Sequence, residues 1–289
     1  MSEPPTELHA ERLRRERVRT TLINLSRTGE LPALPQAASA ALALARKPDA
    51  DTEELCDLIA TDVGLAARIL RIANSTAYVR RAPARTIHDA VLALGMRKTC
   101  DVLVAACFRQ LHRDPGGHAQ RLWHHALAVA IATEELARAT RRIDPAVAFL
   151  PGLFHDVGRI AFLLADCTSV DVIQGLVEAG GGARPALEEE WYGFDHAVTG
   201  AVLAADWGLD AEQCDAIRCH HDPTRASGGR TLALLLSAAD TIATAIGCGT
   251  GTALDARDAF VELGVSTDDE TGCATRVQAL FAEQRELFA

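Results

Sequence analysis

The sequence predicts an all-α protein built from many short helices. Apolar residues recur at helical spacing in segment after segment, and no run alternates with period two. Alanine is abundant while aromatics make up only 4% of the 289 residues, a composition suited to closely packed small-residue helices rather than a β-sandwich. With 48% hydrophobic and 24% charged residues the chain is average for a globular protein, which excludes wholesale disorder.

Thr6 to Thr28 reads as a charged helix with a thin apolar seam (Leu8, Leu13, Val18, Leu22, Leu25), ended by Gly29. The prolines of Leu31-Pro32-Ala33-Leu34-Pro35 hold the chain extended before another helix. Asp51 and Glu54 are spaced for a capping box ahead of Leu55, Leu58 and Ile59, and Asp62 for the cap of a helix carrying Val63, Ala66, Ile69, Leu70 and Ala73. Thr86 opens a helix that Gly95 breaks, and an apolar helix is expected from about Lys98 to Leu111. The turn cluster His112–Ala119 reads as a subdomain boundary. Beyond it, helices are expected over Leu122–Ala139, Pro145–Leu164, Ser169–Glu178, Ala186–Tyr192, His196–Trp207, Ala211–His220 and Leu232–Ile246. A loose Gly/Thr-rich tail ends in a short helix, Ala274–Phe288. The expected division is 1–24 (N-terminal helix), 25–120 (helical subdomain), 121–246 (histidine-rich subdomain) and 247–289 (tail).

The formal charge of -10 repels phosphate backbones and anionic lipid, so neither nucleic acid nor membrane is an expected partner. Arg80-Arg81 and Arg97-Lys98 are too isolated to change that. Met1 to Thr20 holds no apolar stretch like a signal peptide, and the apolar runs near 146–154 and 232–239 fall short of the ~20 residues of a membrane span. The eight cysteines are scattered without a Cys-x-x-Cys pair, as free thiols are, and the expected compartment is the cytoplasm.

The chemistry concentrates in the second half. Six of ten histidines fall between positions 124 and 221, in the order His124-His125, His155-Asp156, His196 and His220-His221, followed by Asp240. Helices can converge such residues on one pocket, and imidazoles with carboxylates suit divalent Fe, Mn, Co, Ni or Zn. A single histidine on an apolar helix is ordinarily a satisfied core residue. Adjacent pairs are not, because consecutive helical positions point about 100° apart. Asp156 follows the apolar run Phe149–Phe154, where an unpaired carboxylate is costly and a cation or hydrogen-bonded partner is required. Its two oxygens suit it to bridge two ions, which would clamp a phosphoryl group and generate a hydroxide. Asn74-Ser75 reads as helix capping, Glu188-Glu189-Glu190 as a solvated face, and Trp123, Trp191 and Trp207 as helix packing, with Trp123 also placed to line the pocket.

The doublet in Gly-Leu-Phe-His155-Asp156-Val-Gly-Arg resembles the hallmark of the HD superfamily of metal-dependent phosphohydrolases. The upstream half is similar to the HDOD family, a bacterial regulatory branch related to HD-GYP proteins. The matching segments are Leu31–Pro35, Ile59–Leu65, Ile69–Ser75 with Tyr78, and Ile87–Gly95. The resemblance runs from about residue 25 to 245. It implies an HD-like helical bundle with one divalent transition-metal ion on His125, His155, Asp156 and Asp240. A second ion would share Asp156 and take His196, His220 and His221. His125 rather than His124 fits the upstream ligand, which precedes a small residue and an apolar helix.

Many HDOD proteins lack these ligands; this sequence retains them. It departs from HD-GYP proteins in three places. Asp222–Ser227 replaces the Gly-Tyr-Pro signature, Arg159 stands for a lysine, and Arg121 stands where some members carry a metal-binding glutamate. Arg159 keeps the positive charge and can bind phosphate oxygens bidentately, without lysine's proton-donor chemistry. The resemblance implies a signal-transduction protein that binds a nucleotide or other phosphate-containing ligand and presents its N-terminal half to a signalling protein partner. Two alternatives stand beside it. One is a metal-dependent phosphohydrolase or cyclic-nucleotide phosphodiesterase in which Asp156 and Arg159 act on the phosphate; the other is an interaction module with a vestigial site.

Overall fold

The computed structural model describes residues 33–288 except 48, 76–82, 113–116 and 252–255, together with positions 16 and 20. Apart from Glu16 and Thr20, the expected leading helix lies outside the described residues, as does Tyr78. The described residues form an all-α protein, with no strand among them.

The first half of the described chain holds α1 (Gln36–Arg46), α2 (Thr52–Ala60), α3 (Val63–Ala73), α4 (Ile87–Leu94) and α5 (Met96–Phe108). Their boundaries follow local chemistry. Asp62 accepts from the Gly64 and Leu65 amides, and Thr86 and Asp89 form a reciprocal capping box. Gly95, at φ 81°, ends α4 and opens α5. Asp51 caps α2 through the Glu53 amide, but Glu54 turns away to pair with Lys47 at 2.7 Å, so the expected capping box does not close. Asn74 ends α3, but its side chain does not cap that helix as expected: its amide oxygen accepts from Ala84 N at 2.7 Å and its amide nitrogen donates to Ala84 O at 2.9 Å. That pins the chain on both sides of 76–82.

The second half begins with the long helix α6 (His118–Thr140), packed against α7 (Phe149–Phe154) and α13 (Arg230–Ala243). Around them lie α8 (Val157–Ala165), α9 (Cys167–Glu178), α10 (Arg184–Tyr192), α11 (His196–Asp206) and α12 (Ala211–Arg218). The expected continuous helix Pro145–Leu164 is a 3-10 turn (Pro145–Val147), then α7 and α8, broken at His155-Asp156. An unbroken helix would splay those two side chains about 100° apart; the turn lets both face one point. After α13 comes a π-helical turn (Thr244–Cys248), then α14 (Arg257–Leu263) and α15 (Thr267–Leu287), so the tail is more helical than expected.

Two glycines fix the helix spacing that the site needs. A Cβ on Gly152 of α7 would lie 2.8 Å from Ala130 Cα of α6. One on Gly158 of α8 would lie 2.0 Å from the His196 carbonyl oxygen at the start of α11. Only a missing side chain permits those approaches, which bring the doublet against both neighbouring helices.

Buried apolar residues form one continuous cluster from Leu34 to Phe288, on both sides of the 112–119 turn. The final helix contributes Cys273, Val277 and Phe281 at helical spacing, packs on α6 and reaches α3. There Arg68 donates to the Phe288 carbonyl at 3.3 Å. Two helical stretches, Pro145–Ala165 and Arg230–Cys248, are long and apolar enough to cross a membrane, but both are mostly buried in this bundle. The cysteines of the described chain are all free.

Candidate metal centre

Seven side chains from five separate places in the chain meet at the centre of the second half. His125 lies mid-way along α6, and His155 and Asp156 occupy the α7–α8 break. His196 is the first residue of α11, His220-His221 follow α12, and Asp240 lies on α13. Asp156 joins two groups of donors, each able to hold an ion: His125 and His155 on one side, His196, His220 and His221 on the other. Its Oδ1 is 3.0 Å from His196 Nε2, 3.6 Å from His155 Nε2 and 3.8 Å from His220 Nε2. Its Oδ2 lies 3.6 Å from His125 Nε2 and accepts from Arg159 at 2.7 Å. Asp240 Oδ1 is 3.4 Å from His125 Nε2. His124 is turned aside, its ring 6.0 Å from that of Phe281, and Trp123 packs against His112 and Phe288 instead.

The surroundings fix the tautomers. Nδ1 of His125 donates to the Cys248 carbonyl at 2.9 Å, that of His155 to Gly152 O at 2.8 Å, and that of His220 to Ile217 O at 2.7 Å. A ring that gives its proton to a carbonyl leaves a bare Nε2 lone pair, the state a metal ligand needs. All three bare nitrogens point into the cluster. His125 Nε2 and His155 Nε2 stand 3.1 Å apart, and His196 Nε2 and His221 Nε2 stand 2.8 Å apart. His220 Nε2 and His221 Nδ1 are buried without a hydrogen-bond partner among the described residues. Facing ring nitrogens at such separations repel unless a proton or a cation sits between them, and the residues fit divalent ions.

Electrostatics support the same picture. Burial pushes the pKa values of His125 and His155 down, that of His220 to about 3 and that of His221 well below the usual range, keeping the rings neutral. Burial opposes ionisation of Asp156, yet His155, Arg159 and His196 together hold it well below 3.8. Burial raises Asp240 to about 6. His196 differs: although buried, it is pushed up to about 10 by Glu188 and Asp156. A cation bound at its Nε2 takes the place of that second proton.

Glu188 is the residue that the sequence reading assigned to a solvated face, and the structure corrects this. Its carboxylate is 2% exposed and accepts from both the His196 amide (2.9 Å) and His196 Nδ1 (2.5 Å). Its neighbours Glu189 and Glu190 are exposed. Glu188 shares its helix face with Arg184, Trp191 and Tyr192, all buried, and that periodicity was the available signal. Arg184 and Thr250 were also missed. Arg159 donates to Thr250 Oγ1 at 2.5 Å, and Arg184 donates to Gln174.

A helical bundle that assembles a histidine–aspartate donor set around a broken helix defines an HD-type protein. The chain belongs to the HDOD family: the HDOD domain profile matches residues 31–223. Among solved structures, a Shewanella amazonensis protein named "putative phosphohydrolase" is 27% identical with a TM-score of 0.74, over 93% of this chain and 98% of that one. An HDOD domain protein with unknown function from Geobacter sulfurreducens is 25% identical with a TM-score of 0.71, over 94% and 96%. An uncharacterized protein of Treponema pallidum is 25% identical over 209 residues, which is 70% of this chain. The match spans 40% of that relative's own length.

Proposed function

We propose that this HDOD protein is a cytoplasmic signal-transduction module that binds two divalent transition-metal ions and, beside them, a phosphate-containing ligand. The observation that carries the reading is the donor set: six imidazole and carboxylate side chains gathered around Asp156, with three rings held by Nδ1–carbonyl hydrogen bonds so that Nε2 faces inward. His125, His155, Asp156 and Asp240 hold one ion; Asp156, His196, His220 and His221 hold the other. When bound, the ions supply positive charge to phosphoryl oxygens and lower the pKa of water. The chain's own groups do the rest. Arg159, anchored to Asp156, directs its guanidinium at an anionic ligand, Glu188 orients His196, and the apolar packing of α6 and α13 restricts water. The N-terminal half offers its surface to a signalling protein partner.

Hydrolysis of the bound phosphate is the second reading, favoured by the seven gathered donors of a two-ion site and by the phosphohydrolase name of the Shewanella protein. The test is metal content and phosphodiesterase activity on untagged wild type and Asp156→Ala in parallel. Close to two ions per chain, lost in the variant, support the reading. Turnover of a nucleotide panel with Mn(II) or Fe(II) favours the enzyme, and binding without turnover favours the sensor. Failure to load any ion on reconstitution refutes both and leaves the vestigial module.

A further inference from the structure

A cavity of about 350 Å³ opens beside the metal cluster, between α6, α8, α9 and α10. Arg159, Val177, Arg184, Thr250 and Gly251 line both this cavity and the small cleft that reaches His125, Asp156, His196, His221 and Asp240. The two arginines are therefore the shared wall. A molecule in the cavity meets the metal site through them.

Both guanidiniums are buried, at 8% and 9% exposure, and both are under-satisfied. Arg159 gives Nη1 to Asp156 and Thr250, and Arg184 gives Nη2 to Gln174, with long contacts of 3.5 Å from each to the Thr250 carbonyl. Arg184 Nη1 is 3.9 Å from Glu188, outside hydrogen-bond reach, and neither Nε donates within the described residues. Five donors per guanidinium leave several N–H groups for an anion. The two like charges also repel: burial first, and then Arg159, lower the Arg184 pKa to about 10. Glu188, Asp156 and Glu178 offset part of that repulsion, and a phosphate dianion on the remaining N–H donors would offset the rest.

The rest of the cavity sets the ligand's body. Phe162, Ile173, Val177 and Leu122 give an apolar wall, with Gln174, Glu178 and Arg121 among its polar lining groups. The volume lies at the lower end of the roughly 300–1,000 Å³ typical of small-molecule sites, room for one compact organic group and not two. We infer that the ligand is a phosphate monoester of mononucleotide size, its dianionic phosphate held by Arg159 and Arg184 and its organic part against Phe162, Ile173 and Val177. A phosphodiester carries one charge per phosphorus and matches the arginine pair less well; a cyclic dinucleotide is also too large for the cavity. Arg184, which no sequence motif singled out, thus becomes a ligand-binding residue. This inference rests on the proposal that the site takes a phosphate-containing ligand, and it names the class.

The test is titration calorimetry on the full chain, with and without Mn(II), using guanosine and adenosine 5′-monophosphate, guanosine, inorganic phosphate and cyclic di-GMP as probes. The monophosphates are expected to bind at least tenfold more tightly than each of the other three. Arg184→Gln should weaken them at least tenfold with metal content unchanged. Val177→Trp, which fills the cavity, should weaken the monophosphates more than it weakens inorganic phosphate. Because Arg184→Gln removes a buried charge and can misfold, Arg184→Lys, which keeps the charge but not the fork, is measured with it and should fall between. Cyclic di-GMP binding as tightly as the monophosphates overturns the inference, as does monophosphate binding unchanged in both Val177→Trp and Arg184→Lys. Metal loading with such unchanged binding sinks this inference and leaves the metal reading standing. Monophosphate binding that depends on Arg184 in a chain that never takes up metal does the reverse.

Discussion

Replacing Gly158 by alanine should dismantle the donor cluster without touching any ligand. The added Cβ would fall 2.0 Å from the His196 carbonyl oxygen and 2.9 Å from the Gly200 amide nitrogen. A carbon–oxygen contact relaxes at roughly 3.2–3.5 Å, so α8 and α11 must separate by about 1.2 Å or more. Both obstructing atoms are backbone, so no side chain can swing away. Overpacking of this kind costs about 1–3 kcal/mol. The displacement falls between Asp156, two residues before Gly158, and His196, whose Oδ1–Nε2 separation is 3.0 Å. Metal–ligand distances tolerate about 0.2 Å, so a shift several times larger should abolish binding at the His196 group. The control is Gly175→Ala on α9, where nothing lies within 4 Å and the substitution should stabilise the helix by about 0.5–1 kcal/mol. Thermal unfolding and elemental analysis on both variants decide it. A Gly158→Ala protein with wild-type stability and a full metal complement would refute the claim that this close approach builds the site.

Two further outcomes are expected. Glu188→Gln keeps an acceptor near His196 but removes the charge, and should lower metal affinity by about 10–100-fold, measured by chelator competition; unchanged affinity would show that Glu188 only fills space. His112, buried beside Phe108 and Trp123, has its pKa lowered from 6.5 to about 4 by burial. Protonation therefore favours the unfolded chain: the residue's stabilisation is complete above pH 6.5 and is lost as pH falls towards 4. The loss amounts to about 2 kcal/mol between pH 7.5 and 5. In His112→Phe this portion of the acid destabilisation should disappear, and identical pH slopes of unfolding free energy in both proteins would contradict the assignment.

Much of this molecule was legible in its sequence because helix boundaries are local chemistry. Asp62, Thr86 and Gly95 act where their side chains and spacing said they would. The histidines and aspartates were legible as a set because so many on one chain, beside apolar runs, demand a common partner. What escaped depends on tertiary context. The break at His155-Asp156 carries neither proline nor glycine at the doublet itself, so no local rule marks it. Glu188 looked solvated inside an acidic triplet, because composition outweighed its place on the face of Trp191 and Tyr192. Glu54 satisfied a capping rule on paper, and a lysine seven residues away captured it.

The final helix has a mechanical consequence. α15 lies along α6, which carries His125, and its last residues are held by Arg68 and Arg71 of α3 in the other half of the molecule. It works as a brace fastened at both ends. These contacts tie the two halves together and oppose their independent swinging. A tilt of α6 at His125 would load the contacts of Arg68 and Arg71 with the Phe288 and Leu287 carbonyls, which join residues 220 and 216 apart in sequence.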